Sequence, residues 1–226
     1  MVGTHVNLGM CGLAFSLLSW NDGLLYYTWY CVWSVVKPSR NETMIDLQWK
    51  KVRIGEGDEI LTAIQQEESD ELARLAKGKD VLEIGSAHGY SAIVMALAGG
   101  RVTAVDSHIG DTWLGDTYSS MRRNAQTYGV LDGIEMISEQ DTVALPVLWE
   151  DGRKFGLIFV DAGGDYKEVL FDLKWTLKLL NHGGTIAVHD YDHANYPGKR
   201  QACDEMFPQG PDKLVVSLFV ISPNQT

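Results

Sequence analysis

From about residue 58 the chain alternates between two kinds of hydrophobic pattern. Short, nearly continuous apolar runs of strand length recur: "DVLEIG", "RVTAVD", "GIEMIS", "FGLIFVDA", "GTIAVHDYD" and a final "KLVVSLFVIS". Between them lie longer stretches with apolar residues at helical spacing. The first, "GDEILTAIQQEESDELARLAKG", predicts a helix that Gly78 ends as a C-cap. "GYSAIVMALAGG", "DTYSSMRRNAQTYG" (ending at Gly129) and "DTVALPVLWEDG" (despite Pro146) predict further helices. "DYKEVLFDLKWTLKLLNHGG" predicts a long one, and "PGKRQACDEMF" one with Pro197 near its start. Strands that alternate with helices predict an α/β fold: a doubly wound, mostly parallel sheet of about six or seven strands with helices on both faces.

In such sheets ligands sit outside the carboxyl ends of the strands, near the reversal in strand order. Acids fall at those ends: Glu83, Asp106, Asp141, Asp161 and Asp190, the last next to His189. After the first of these strands the spacing is E-x-G-x-x-x-G (Glu83, Gly85, Gly89), with Ala87 where a dinucleotide fingerprint would have its middle glycine. A carboxylate at Glu83 would repel a pyrophosphate but suits a ligand with an ammonium group. Asp106 is placed to accept hydrogen bonds from both hydroxyls of a ribose, and Asp141 from an adenine amino group. Ammonium, ribose and adenine together describe S-adenosylmethionine.

"VLEIGSAHGYSAI" resembles the first motif of class I S-adenosylmethionine-dependent methyltransferases, which have a Rossmann-like fold. More narrowly, it is similar to the small-molecule and sugar O-methyltransferase branch of the macrocin O-methyltransferase kind. The resemblance continues through "AVDSHIGDTW" and "FVDAGGDYKEVLFDLKWTLKLLNHGGTIAVHDY" and covers roughly residues 58 to 222. It implies a cofactor site made of Glu83, Gly85, Ser86, Gly89 and Ser91, with Asp106 on the ribose and Asp141 with Thr142 by the adenine. Two departures stand out: relatives often have a histidine where this chain has Gly164, and the short tail after "DEMF" implies a reduced terminal antiparallel strand pair.

Methyl transfer to oxygen needs an aligned nucleophile and help in removing its proton. Adjacent strand ends would bring Asp161, His189 and Asp190 together. In metal-dependent relatives carboxylates at these places hold a divalent cation. The three residues are therefore candidates both for catalysis and for a metal, Mg²⁺ or Mn²⁺, with His189 as ligand or as general base. Asp165, Asp192 and His193 are possible outer ligands, and His88 and His108 flank the cofactor site in local hydrogen-bonding roles. The leading expectation is O-methylation of a small hydroxylated molecule such as a sugar, polyketide or phenol. The alternatives are a nicotinamide-dependent oxidoreductase on a similar fold and a non-catalytic cofactor-binding scaffold.

Composition narrows the partners. A formal charge of −11 over 226 residues argues against nucleic acid, which demands a basic footprint. Cys11, Cys31 and Cys203 form no C-x-x-C pair, which suits a reducing cytoplasm better than a disulfide framework. Residues 1–45 read as an aromatic-rich N-terminal extension to a methyltransferase domain at 46–226. Its first 36 residues contain no Lys or Arg and only one acid, Asp22. The two apolar runs, split by "NDG", are each too short for the ~20 residues of a membrane span, so no stable span is expected, though peripheral membrane contact is open. The extension is a lid, an interface (for example of a homo-oligomer), or a non-native start with Met44 as the natural one.

Overall fold

The computed structural model describes residues 16–21, 24–29, 50–55, 57–109 and 114–223; Cys11 and Cys31 lie outside them. The chain divides into two compact units, Met1–Met44 and Ile45–Thr226. The described part of the first is a hairpin of β1 (Ser16–Asn21) and β2 (Leu24–Trp29), antiparallel, with Asn21 opposite Leu24.

The second unit opens with another antiparallel pair, β3 (Lys50–Arg53) and β4 (Glu59–Thr62). The helix expected from residue 58 therefore begins later. "EILT" alternates in burial, with Ile60 and Thr62 inside, so this piece follows the period of a strand. The helix α1 (Gln66–Ala76) starts only where Glu68 can reach back to accept from the Gln65 amide, 2.9 Å away.

Five parallel strands follow: β5 (Asp80–Ile84), β6 (Arg101–Val105), β7 (Ile134–Ile137), β8 (Phe155–Val160) and β9 (Leu180–Val188). The helices are α2 (Tyr90–Leu97), α3 (Thr117–Thr127), α4 (Asp141–Glu150), α5 (Tyr166–Leu179) and α6 (Pro197–Met206). Pro146 sits inside α4 without ending it. The tail is a hairpin of β10 (Lys213–Val215) and β11 (Leu218–Ile221), and β11 adds antiparallel to β9. The seven-stranded order is β10-β11-β9-β8-β5-β6-β7. "KLVVSLFVIS" is thus two short strands rather than one, and the terminal antiparallel pair is present. α5 also stops earlier than its pattern predicts. "LNHGG" belongs to β9, which bulges between the Phe155–Leu180 and Leu157–Thr185 pairings.

Alternate residues of the buried strands feed two cores. Val81, Ala104, Phe159 and Ala187 pack under α1, α2 and α3. Leu82, Ile84, Val160 and Val188 pack under α4, α5 and α6. β5 pairs with β6 on one side and β8 on the other, so the chain reverses its direction of travel between β5 and β8. A crevice at their carboxyl ends follows from this order.

Candidate active site

The loop leaving β5 is shaped by close backbone approach. Gly85 has φ +88°, and a Cβ there would lie 2.6 Å from the Ala162 amide nitrogen. Only glycine lets β5 and β8 come this close at their ends. Gly89 (φ +84°) then starts α2. Asp106, at the end of β6, accepts from the Ser86 and Ala87 amides (both 2.8 Å) through Oδ2 and from the His108 amide (2.7 Å) through Oδ1. Its carboxylate therefore holds the glycine loop in shape and also borders a cavity of ≈640 Å³. Asp141, Thr142 and His108 line the same cavity. Asp141 accepts from the Thr142 amide at the start of α4 (2.5 Å). His88 and His108 bond locally, to Ser120 Oγ and Thr117 Oγ1 at 2.9 Å each.

Gly85 and Ala87 also border a second, smaller cavity of ≈70 Å³, with Ser86, Ser91, Asp161, His189, Asp190 and Tyr196 on its walls. Glu83 stands beneath it rather than on its surface. It is fully buried, Ser91 Oγ donates to its Oε1, and its Oε2 has no partner. Burial pushes its carboxyl up to about 8, with Asp161 and Asp106 adding to the rise against the Ser91 hydrogen bond. An orphaned buried carboxylate oxygen next to a cavity fits a ligand ammonium.

His189, 2% exposed, places Nδ1 3.1 Å from Asp161 Oδ1 and Nε2 3.1 Å from Glu68 Oε2, with Asp190 Oδ2 3.5 Å from Nδ1. Burial opposes a charged ring, but Asp161, Glu68 and Asp190 outweigh it and push His189 up to about 10. Glu68 is the mirror case: burial would raise its carboxyl, yet His189, the Gln65 amide and Ser217 hold it at about 2. Ser217 contributes both its amide (2.9 Å) and its hydroxyl (2.7 Å) to Glu68 Oε1. Asp161 is lowered as well; its burial is outweighed by His189 and by Lys199, whose Nζ lies 3.4 Å from Oδ1. Asp190 runs the other way, raised by burial. It has φ +59°, a conformation that non-glycine residues hold only where their surroundings impose it.

The structure thus brings together the three residues expected for catalysis or a metal; their ligand atoms lie within 4.8 Å of one another. It changes the role open to His189. Both ring nitrogens face carboxylates, so the ring has no free lone pair with which to act as a general base. With Lys199 in place the donor set does not fit a divalent ion either, because an ammonium already sits against Asp161. Two of the outer candidates have other partners: Asp192 pairs with Arg200 at 2.6 Å and both are exposed, while His193 Nδ1 accepts from the Asn195 amide; Asp165, the third, stands at the start of α5. Sequence reasoning missed Glu68, Lys199 and Ser217. Glu68 carried one signal, the Q-x-x-E pattern of a capping box at 65–68.

The model of a methyltransferase-domain family matches residues 82–191. No protein of curated function matches the chain by sequence. Among solved structures, the O-methyltransferase NovP is 17% identical with a TM-score of 0.60, covering 73% of this chain and 82% of its own. TomG, an O-methyltransferase from Streptomyces achromogenes involved in tomaymycin synthesis and solved in complex with SAM, is 24% identical with a TM-score of 0.53, covering 66% and 71%. CalS11, a TDP-rhamnose 3′-O-methyltransferase of calicheamicin biosynthesis, is 15% identical with a TM-score of 0.56, covering 72% and 83%. At these identities the structures speak for the fold, and the family match for the domain within it. Residues 82–191 thus match a methyltransferase domain, and the chain has the fold of class I S-adenosylmethionine-dependent methyltransferases.

Proposed function

We propose that the chain transfers a methyl group from S-adenosylmethionine to a hydroxyl of a small molecule such as a sugar, polyketide or phenol. The observation that carries this reading is the pair of cavities meeting at Gly85 and Ala87. The larger, bordered by Asp106 and Asp141, suits the nucleoside. The smaller, with Glu83 beneath it and Asp161 on its wall, suits the sulfonium end and the acceptor. The known acceptors of similarly folded proteins, such as the TDP-rhamnose of CalS11, lend support to a hydroxylated small molecule. Residues 1–45 are in this reading an N-terminal extension that serves as a lid, an interface or a non-native start.

In the proposed step the acceptor oxygen attacks the methyl carbon in line as the carbon–sulfur bond breaks, leaving S-adenosylhomocysteine. As the new bond forms, the hydroxyl proton becomes strongly acidic, so a weak base is enough to take it. Asp161, ionised and 22% exposed in its side chain, is that base. His189 and Glu68 orient it.

The test is thermal stability with S-adenosylmethionine, S-adenosylhomocysteine, NAD and NADP, since a ligand that binds only the folded state raises Tm. The two sulfur nucleosides should raise it and the nicotinamides should not. A rise with NAD alone would replace this reading with an oxidoreductase.

A further inference from the structure

Lys199 is the only buried lysine or arginine among the described residues, 2% exposed. It stands in the first turn of α6, and that turn is pressed onto the loop after β8. A Cβ at Gly198 would lie 2.3 Å from the Tyr166 amide nitrogen and 2.6 Å from the Gly164 carbonyl oxygen. Gly164 leaves room that the Tyr196 ring fills; a Cβ at 164 would meet that ring at 2.5 Å. Lys199 Nζ lies 5.7 Å from the centre of the same ring and 3.4 Å from Asp161 Oδ1. A buried ammonium is costly unless a carboxylate accompanies it. Here the carboxylate is the one that faces the smaller cavity.

Resting on the methyltransferase reading, we infer that Lys199 is a positioning residue that supplies the fixed positive charge a divalent ion would otherwise supply. It holds Asp161 ionised and aimed at the acceptor, and the Asp161–His189–Asp190 group takes up no metal. A Mg²⁺ ion on Asp161 would sit about 2.0–2.1 Å from oxygen, against the charge repulsion of an ammonium on that same carboxylate. Lys199 contributes no metal-binding lone pair while it is charged, and the close contact of Gly198 with the 161–166 loop sets its backbone beside Asp161.

Uptake of Mn²⁺ by the full chain with S-adenosylhomocysteine present, followed by the electron paramagnetic resonance of free Mn²⁺, tests this without an acceptor. The natural chain should take up no stoichiometric ion at millimolar Mn²⁺. Lys199→Met should bind one, and adding Asp161→Asn should abolish it. Calorimetry should show S-adenosylhomocysteine affinity unchanged within about twofold in Lys199→Met, because Lys199 does not border the nucleoside cavity. If Lys199→Met does not fold, Lys199→Gln, which keeps a donor for Asp161, replaces it with the same expectation. Stoichiometric Mn²⁺ on the natural chain overturns the inference, as does a folded Lys199 variant that takes up none. Failure of S-adenosylhomocysteine to bind would remove the methyltransferase reading instead, and the Mn²⁺ comparison would still decide the role of Lys199.

Discussion

The carboxylates of this site divide their labour by what already surrounds them. Asp106 accepts three backbone amides, so Asp106→Ala removes a loop brace as well as the proposed ribose partner. Calorimetry should show S-adenosylmethionine binding weakened by roughly 1.5–3 kcal/mol, the range for hydrogen bonds to a charged group. Melting should show a lower Tm, which the strand-end position alone would not suggest. Glu83 is different: with its carboxyl near 8, the ligand-free protein holds it mostly protonated at pH 7. If the cofactor ammonium becomes its partner, binding must expel close to one proton. Titrations in buffers of different ionisation enthalpy read that number directly, and zero would leave Glu83 a structural residue only. The acids that end strands were legible in the sequence because their positions follow from the pattern around them. Glu68 and Lys199 were not, since their meaning lies in partners 121 and 38 residues away.

Elements whose periods are long and unbroken were equally plain. β5, β6, β7 and β8 fall where the apolar runs lie, α2, α3 and α4 fall between them, and α6 follows β9 where its own pattern lies. The misreadings share a cause. β4 is four residues long, too short for two-fold alternation to stand out beside the helical pattern that follows it. The turn between β10 and β11 carries neither glycine nor asparagine; Val216 takes φ +54° there, against its steric preference. The turn is held by Ser217 on Glu68 and by the Tyr191 amide donating to the Ser217 carbonyl, contacts that no local pattern announces. Close approach between elements also yields a paired test. Gly85→Ala combines a left-handed residue, at roughly 1–2 kcal/mol, with a clash against backbone, at roughly 1–3 kcal/mol. Denaturant unfolding should show it costing clearly more than Gly78→Ala, where φ is +70° but nothing lies within 4 Å.

For the whole domain, the buried titratable groups set an unusual pH profile. Glu68, held at about 2, adds stability that is present above its unfolded value near 4.5 and lost as pH falls through 2. His189, held at about 10, adds stability that is full below its unfolded value near 6.5 and lost as pH rises through 10. Glu83, raised to about 8, and Asp172, raised to about 9 by burial and by Asp141, add stability that is full below their unfolded values near 4.5 and 3.8 and is lost as pH rises from there through 8 and 9. Calorimetric scans of the ligand-free protein should give the highest Tm near pH 5 and a steady decline toward pH 10; a plateau through pH 9 would contradict this arrangement. The knot of Glu68, His189 and Ser217 has a further consequence, in the time domain of synthesis. Glu68 leaves the ribosome 121 residues before His189 and 149 before Ser217. At roughly 5–20 residues per second, its carboxylate waits on the order of ten seconds for partners that come nearly last. A nascent chain can assemble its glycine loop early, but the imidazole that steadies Asp161 gains its full surroundings only when the final hairpin closes, so incomplete chains emerge without a finished reaction centre.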